Sequence, residues 1–220
     1  MRTTLTWTIL AAGLATATAL AAPIRGQVQL AADSAAEPAS EENTYYWKVW
    51  NGVVDPQTPR PDPSRELAVV LTGEGTEEPI GCTYAIRGGD LHPSTLVVKA
   101  GAAMRIENRD GCSHELRSEG IPDFAPLATA PGNARAINVP AGGPYTITDR
   151  LYGHVGGTVH AITDLVACAE VGADGAFVFE GIPNGEYTLK IFRGTEELHT
   201  APIVVQDAPI TVEPIGLGGS

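Results

Sequence analysis

The chain is short of positive charge, of sulfur and of helix-forming runs, and each shortage closes off a class of function. Lys and Arg number 14 against 26 Asp and Glu, for a net charge of −12. Such a balance cannot neutralise a phosphate backbone, which excludes nucleic acid as a partner. The acidity itself reads as solubility. No stretch past the first 21 residues repeats apolar positions at helical spacing, so a helical core is excluded. No cysteine follows the leader before Cys82, so the expectation is a chain without a lipid anchor. Ser113, Asp149 and His154 are the residue types of a nucleophilic triad. No G-x-S-x-G elbow accompanies them, and the expectation is a protein that is not an enzyme.

What is present is β-like. Short apolar-alternating runs are separated by 25 Gly and 17 Pro, with 43% hydrophobic residues overall. This pattern predicts an all-β sandwich, and 220 residues suffice to bury one or two cores. Residues 1–21 read as a signal peptide, with Arg2 before an apolar Leu5–Leu20 stretch and Ala19-Leu20-Ala21 as the cleavage site. The apolar run is too short to span a membrane. The expected location is periplasmic or secreted, with no transmembrane segment after cleavage. Residues 22–44, rich in Ala, Glu and Pro, read as a disordered tether. Residues 45–79 supply N-terminal strands, with Trp47 and Val49 expected to pair with Leu67–Leu71 across the Pro56–Pro63 loop.

The candidate site centres on one strand and the loop after it. Tyr145, Ile147 and Asp149 alternate onto one face, placing a carboxylate at the strand's end, and His154 follows within a loop of Leu, Tyr, Gly and Val. Upstream, Thr95-Leu-Val-Val-Lys-Ala-Gly101 precedes Met104-Arg-Ile-Glu-Asn108-Arg-Asp-Gly-Cys-Ser-His114. Together these resemble the cupredoxins, the blue-copper family of plastocyanin and azurin, with their "VkaG…V.f.N.D…H" run and Tyr-x-apolar-x-Cys strand. The resemblance spans residues 80–165 and implies a cupredoxin-like Greek-key β-sandwich. It implies metal ligation by His114, Asp149 and His154; the residues themselves add two secondary candidates, His160 as a further nitrogen and Cys112 as a Cys-x-His partner of His114. Asp149 stands where the family has its thiolate, Thr158 where it has an axial Met, and Glu115 where Asn commonly follows the first His. A carboxylate in place of sulfur disfavours Cu(I), so the expected cofactor is copper as Cu(II) in a type-2-like site, or another divalent ion. The competing reading is a metal-free hydrogen bond between Asp149 and His154 in a structural or interaction module.

Residues 166–220 carry a second pattern. Asp174-Gly-Ala-Phe177-Val-Phe179 and Gly185-Glu-Tyr187-Thr-Leu189-Lys-Ile191 read as two strands of a hairpin around a Pro-Asn-Gly turn. They resemble the "DG.F.f..iP.G.Ytl.v" repeat of carboxypeptidase regulatory-like modules. With Gly52-Val-Val-Asp55 and Val69-Val-Leu71, this resemblance implies a small β-sandwich interleaved with or appended to the first. An unidentified periplasmic or cell-surface protein is the expected partner. Three cysteines allow three pairings. Cys82–Cys112 is favoured because it would tie the strand leading into residues 80–165 to the loop of His114. Cys168, in an apolar strand, then remains a free buried thiol.

Overall fold

The computed structural model describes residues 22–31, 61–75 and 78–218. It is all-β, with one short helix among the described residues. The chain begins with β1 (Ile24–Leu30), then the single-turn helix α1 (Pro63–Glu66) and β2 (Leu67–Gly73). The middle contains β3 (Tyr84–Arg87), β4 (Asp90–His92), β5 (Thr95–Lys99), β6 (Ala103–Asn108), β7 (Leu116–Arg117), β8 (Ala134–Asn138), β9 (Gly142–Asp149) and β10 (Gly156–Ile162). The last part contains β11 (Leu165–Ala169), β12 (Ala176–Phe179), β13 (Gly185–Arg193), β14 (Glu196–Val205), β15 (Ile210–Thr211) and β16 (Ile215–Leu217). Helix α1 has Pro63 in its first turn, and the Asp62 carboxylate accepts from the Ser64 amide. Both are common ways to start a helix.

Two sandwiches result. In the first, sheet β11-β2-β13-β14 faces a sheet in which β1 pairs with β12, β15 and β16. Ile24, Val28, Val69, Leu71, Phe177, Phe179, Leu189 and Ile191 meet between them. In the second, sheet β5-β10-β9-β7 faces sheet β4-β3-β6-β8. Its core includes Ile86, Leu96, Met104, Ile106, Ile147 and Val159. Fully burying one such side chain contributes about 1.5–3 kcal/mol.

The two units join where strands are buried on both faces. β2 sends Val69 and Leu71 into the first core, while Ala68 and Val70 pack with Val97, Leu165 and Phe192. This explains the unbroken run Leu67-Ala-Val-Val-Leu71, which would alternate if one face met water. β5 divides likewise, with Leu96 and Val98 facing the second core and Val97 the junction.

Several expectations are corrected. The tether expected over 22–44 begins with a buried strand, since β1 pairs in register with β12 and Ile24 and Val28 are wholly buried. The reason is visible in Ile24-Arg-Gly-Gln-Val28-Gln-Leu30, which alternates with period two. Residues 32–60 lie outside the described residues, and with them the expected Trp47 and Val49 pairing and the Gly52–Asp55 motif. The Phe177–Ile191 pattern is not a hairpin. β12 pairs with β1, while β13 pairs with β2 and β14, so the Pro-Asn-Gly segment arches from one sheet to the other. An arch lets Phe179 and Leu189 enter the same core from opposite sheets. Finally, the disulfide links Cys82 to Cys168, and Cys112 is the free thiol. The Cys82–Cys168 Cα separation of 4.9 Å lies in the range a bridge requires.

Candidate metal centre

Three loops meet at one end of the second sandwich. The β3–β4 connection is a tight turn in which Gly88 and Gly89 both have positive φ, 62° and 76°. Two such residues suit a two-residue hairpin turn, and glycine adopts them without a Cβ penalty. Their amides point at Asp110, at 2.5 Å to Oδ1 from Gly88 and 2.9 Å to Oδ2 from Gly89.

The segment between β6 and β7 is folded by the buried Asn108. Its Nδ2 donates to the carbonyls of Cys112 at 2.8 Å and Thr129 at 2.7 Å, and its Oδ1 accepts from the Asp110 amide at 3.0 Å. His114 exchanges backbone hydrogen bonds with Thr129. Asp110, Cys112 and His114 are thereby held on one tight loop.

The third loop follows β9. Asp149 Oδ1 accepts from the amides of Leu151 at 2.7 Å and Tyr152 at 3.1 Å. Its Oδ2 accepts from the Glu115 amide at 3.3 Å and lies 2.7 Å from His114 Nδ1. An ionised carboxylate only accepts, so Nδ1 carries the proton of that bond. The four acceptor positions of Asp149 are thus in use, and its side chain is completely buried. With Nδ1 on Asp149, the other ring nitrogen, Nε2, is within hydrogen-bond distance of Asp110 Oδ2 at 3.2 Å and lies 3.6 Å from Cys112 Sγ. Asp110, Cys112 and His114 each offer a donor atom, all within 4.8 Å of one another.

Charge and hydrogen bonding tune the rim. Burial raises the Asp110 pKa, but the Gly89 and Gly88 amides, then His114, outweigh it and hold it below its ordinary 3.8. The Tyr152 ring packs 5.2 Å from that of His114. The neighbouring Cys112 side chain is the main cause that raises the Tyr152 phenol above the ordinary 10.0. Arg150 pairs with Glu115 and clamps the β7 and β9 loops together.

The structure therefore brings His114 and Asp149 into direct contact. His154 is exposed on the facing loop, its ring 6.3 Å from that of Tyr152, and is not one of the three clustered donors. His160 lies elsewhere, buried in β10, where Nε2 is 2.7 Å from the Gly194 carbonyl and the ring packs on Phe192. Thr158 pairs in β10 with Thr95 and Thr146, so it is a sheet position and not an axial one. Against Nε2 stands the sulfur of Cys112, not the hydroxyl of Ser113. Asp110 and Tyr152 belong to the site although the sequence pattern did not single them out. Asp110-x-Cys112-x-His114 was the available signal, since alternate residues of an extended segment share a side.

No family model matches the chain, and no curated protein matches it. Among solved structures it is similar to amicyanin from Paracoccus versutus, at 13% identity and TM-score 0.33, covering 42% of this chain and 96% of that one. A reduced mutant of amicyanin is similar at 14% identity and TM-score 0.32, covering 42% and 97%. A purple cupredoxin from Nitrosopumilus maritimus is similar at 20% identity and TM-score 0.31, covering 38% and 93%.

The residues present do not fit a blue-copper centre. Such a centre takes two imidazoles and a thiolate, with a weak axial ligand. Here the β9 position holds a saturated carboxylate, and the nearby sulfur comes from the same loop as His114.

Proposed function

We propose that the chain is an exported, cupredoxin-like β-sandwich that binds a divalent metal ion, copper included, through His114. The observation that carries this reading is the His114–Asp149 pair. Metal-ligating histidines commonly donate their second ring N–H to a carboxylate, which fixes the ring and its tautomer. His114 is buried, and its Nδ1 bond to Asp149 leaves Nε2 turned toward two further donors. Asp149 acts here by orienting His114, and His154 is an auxiliary group on the facing loop. Electron transfer of the blue-copper kind is not part of the proposal, because the donor set lacks the arrangement it needs.

The test is competition for Cu(II) against a chelator. His114→Ala abolishes tight binding, His154→Ala weakens it less, and His160→Ala and His199→Ala leave it unchanged. Equal binding by the wild type and His114→Ala makes the His–Asp pair structural, and the chain is then a metal-free interaction module.

A further inference from the structure

We infer that Asp110, Cys112 and His114 form a three-ligand, thiolate-containing site for a zinc-like divalent ion. This rests on the reading that His114 ligates a metal, and it adds the other ligands and the metal class.

Spacing is the first argument. In a tetrahedral zinc site with bonds of about 2.0–2.3 Å, two N or O donors lie about 3.3 Å apart and an N and an S donor about 3.6 Å apart. The observed separations from His114 Nε2 are 3.2 Å to Asp110 Oδ2 and 3.6 Å to Cys112 Sγ. The third pair, Asp110 to Cys112, falls within 4.8 Å. The donors stand almost where a single ion would need them, with little rearrangement of side chains.

Rigidity is the second. Asp110 is fixed by the Gly88 and Gly89 amides, Cys112 by the Asn108 side chain at its carbonyl, and His114 by Asp149. The carboxylate and the imidazole thus each have an outer partner, as metal ligands do in proteins, and the backbone that carries the thiol is pinned by Asn108. The carboxylate–thiolate–imidazole set is of mixed hardness and suits Zn(II), which has no geometric preference of its own. Cys112 is also the thiol left over once Cys82 and Cys168 have paired, and it is solvent-accessible. Ligation would protect it in an oxidising compartment. Three protein ligands leave a fourth position for water or an external ligand, on the side where Cys112 meets solvent.

The experiment uses the full chain with Cys112 verified as a free thiol. Zn(II) affinity is measured by chelator competition, and Co(II) serves as the spectroscopic probe. The expected result is one ion per chain, with a thiolate-to-Co(II) charge-transfer band and intense tetrahedral d–d bands. Cys112→Ser loses the charge-transfer band and binds Zn(II) at least 10-fold more weakly. Asp110→Asn keeps the band but also loses at least 10-fold. An unchanged urea midpoint in Cys112→Ser, and a single cooperative unfolding transition at a somewhat lower midpoint in Asp110→Asn, whose new N–H faces a Gly88 or Gly89 amide, establish that the fold is retained. If Cys112→Ser and Asp110→Asn keep full Zn(II) affinity while His114→Ala loses it, the three-ligand site is overturned and the His114 reading stands. The three-ligand site is equally overturned if the wild type takes Cu(II) through His114 but binds no Zn(II). If His114→Ala binds both ions as the wild type does, both readings fall together.

Discussion

Asp149 is the residue on which the site's geometry turns. Four donors converge on its carboxylate from three residues of its own loop and the facing one and from the His114 ring. Substituting Asn would place an N–H group against donors that need an acceptor. Asp149→Asn should therefore cost about 1–3 kcal/mol of stability, the usual penalty for an unsatisfied buried polar group. It should also lower metal affinity about 10- to 100-fold, as loss of an outer-shell partner does. Urea denaturation and chelator competition measure the two effects separately. A stability loss with unchanged metal affinity would mean that Asp149 shapes the loop without orienting a ligand. Its place at the end of β9 could be read from the period-two pattern of Tyr145, Ile147 and Asp149. Its partner could not, because the bond to His114 spans 35 residues.

At the scale of elements, β1 shows how a short strand can complete a core. It pairs with β12 on one side and β15 and β16 on the other, so its loss would open the sheet at its centre. Ile24→Ala should cost about 2–5 kcal/mol, as large-to-small changes at wholly buried positions do, read as a lowered urea midpoint. A change below about 0.5 kcal/mol, the range of ordinary surface substitutions, would show β1 to be a loosely held appendage. The neighbouring turn is constrained too. Gly175 has φ +81°, and a Cβ there would lie 1.9 Å from the Val28 carbonyl oxygen. Its own carbonyl accepts from the Val28 amide at 2.9 Å, so the turn and β1 dock as one piece.

At the scale of the whole molecule, the disulfide is a tie between sandwiches. Cys82 leads into β3 of the second unit and Cys168 lies in β11 of the first, 86 residues away. Closing so long a loop restricts the unfolded chain, and replacing both cysteines by Ser should cost about 2–5 kcal/mol. Urea unfolding of the double variant measures it. Thiol titration of the denatured, unreduced wild type should find one thiol per chain, with peptide mapping assigning it to Cys112. A Cys82–Cys112 peptide would contradict the pairing described here. Among the described residues no helix is long and apolar enough to cross a membrane.

The all-β class was determined by the sequence alone, because alternation and Gly/Pro punctuation are local properties that strands cannot do without. Most strands of the second sandwich were likewise legible, from Tyr84–Ile86 through Met104 and Ile106 to Tyr145–Asp149. So was β1 in principle, although the Ala- and Glu-rich residues after it hid its alternation. What tertiary structure decided is pairing. Whether Phe177–Phe179 meets Tyr187–Ile191 in one sheet or across a core depends on β1 and β2, which lie more than 100 residues earlier. Cys82 chose Cys168 because β2, β5 and β11 bury both their faces at one junction, a fact no local pattern states. The site followed the same rule. His114 and Asp149 were recognisable by type and spacing, but only the meeting of three loops turned Asp149 into a support and set Asp110 and Cys112 beside the imidazole.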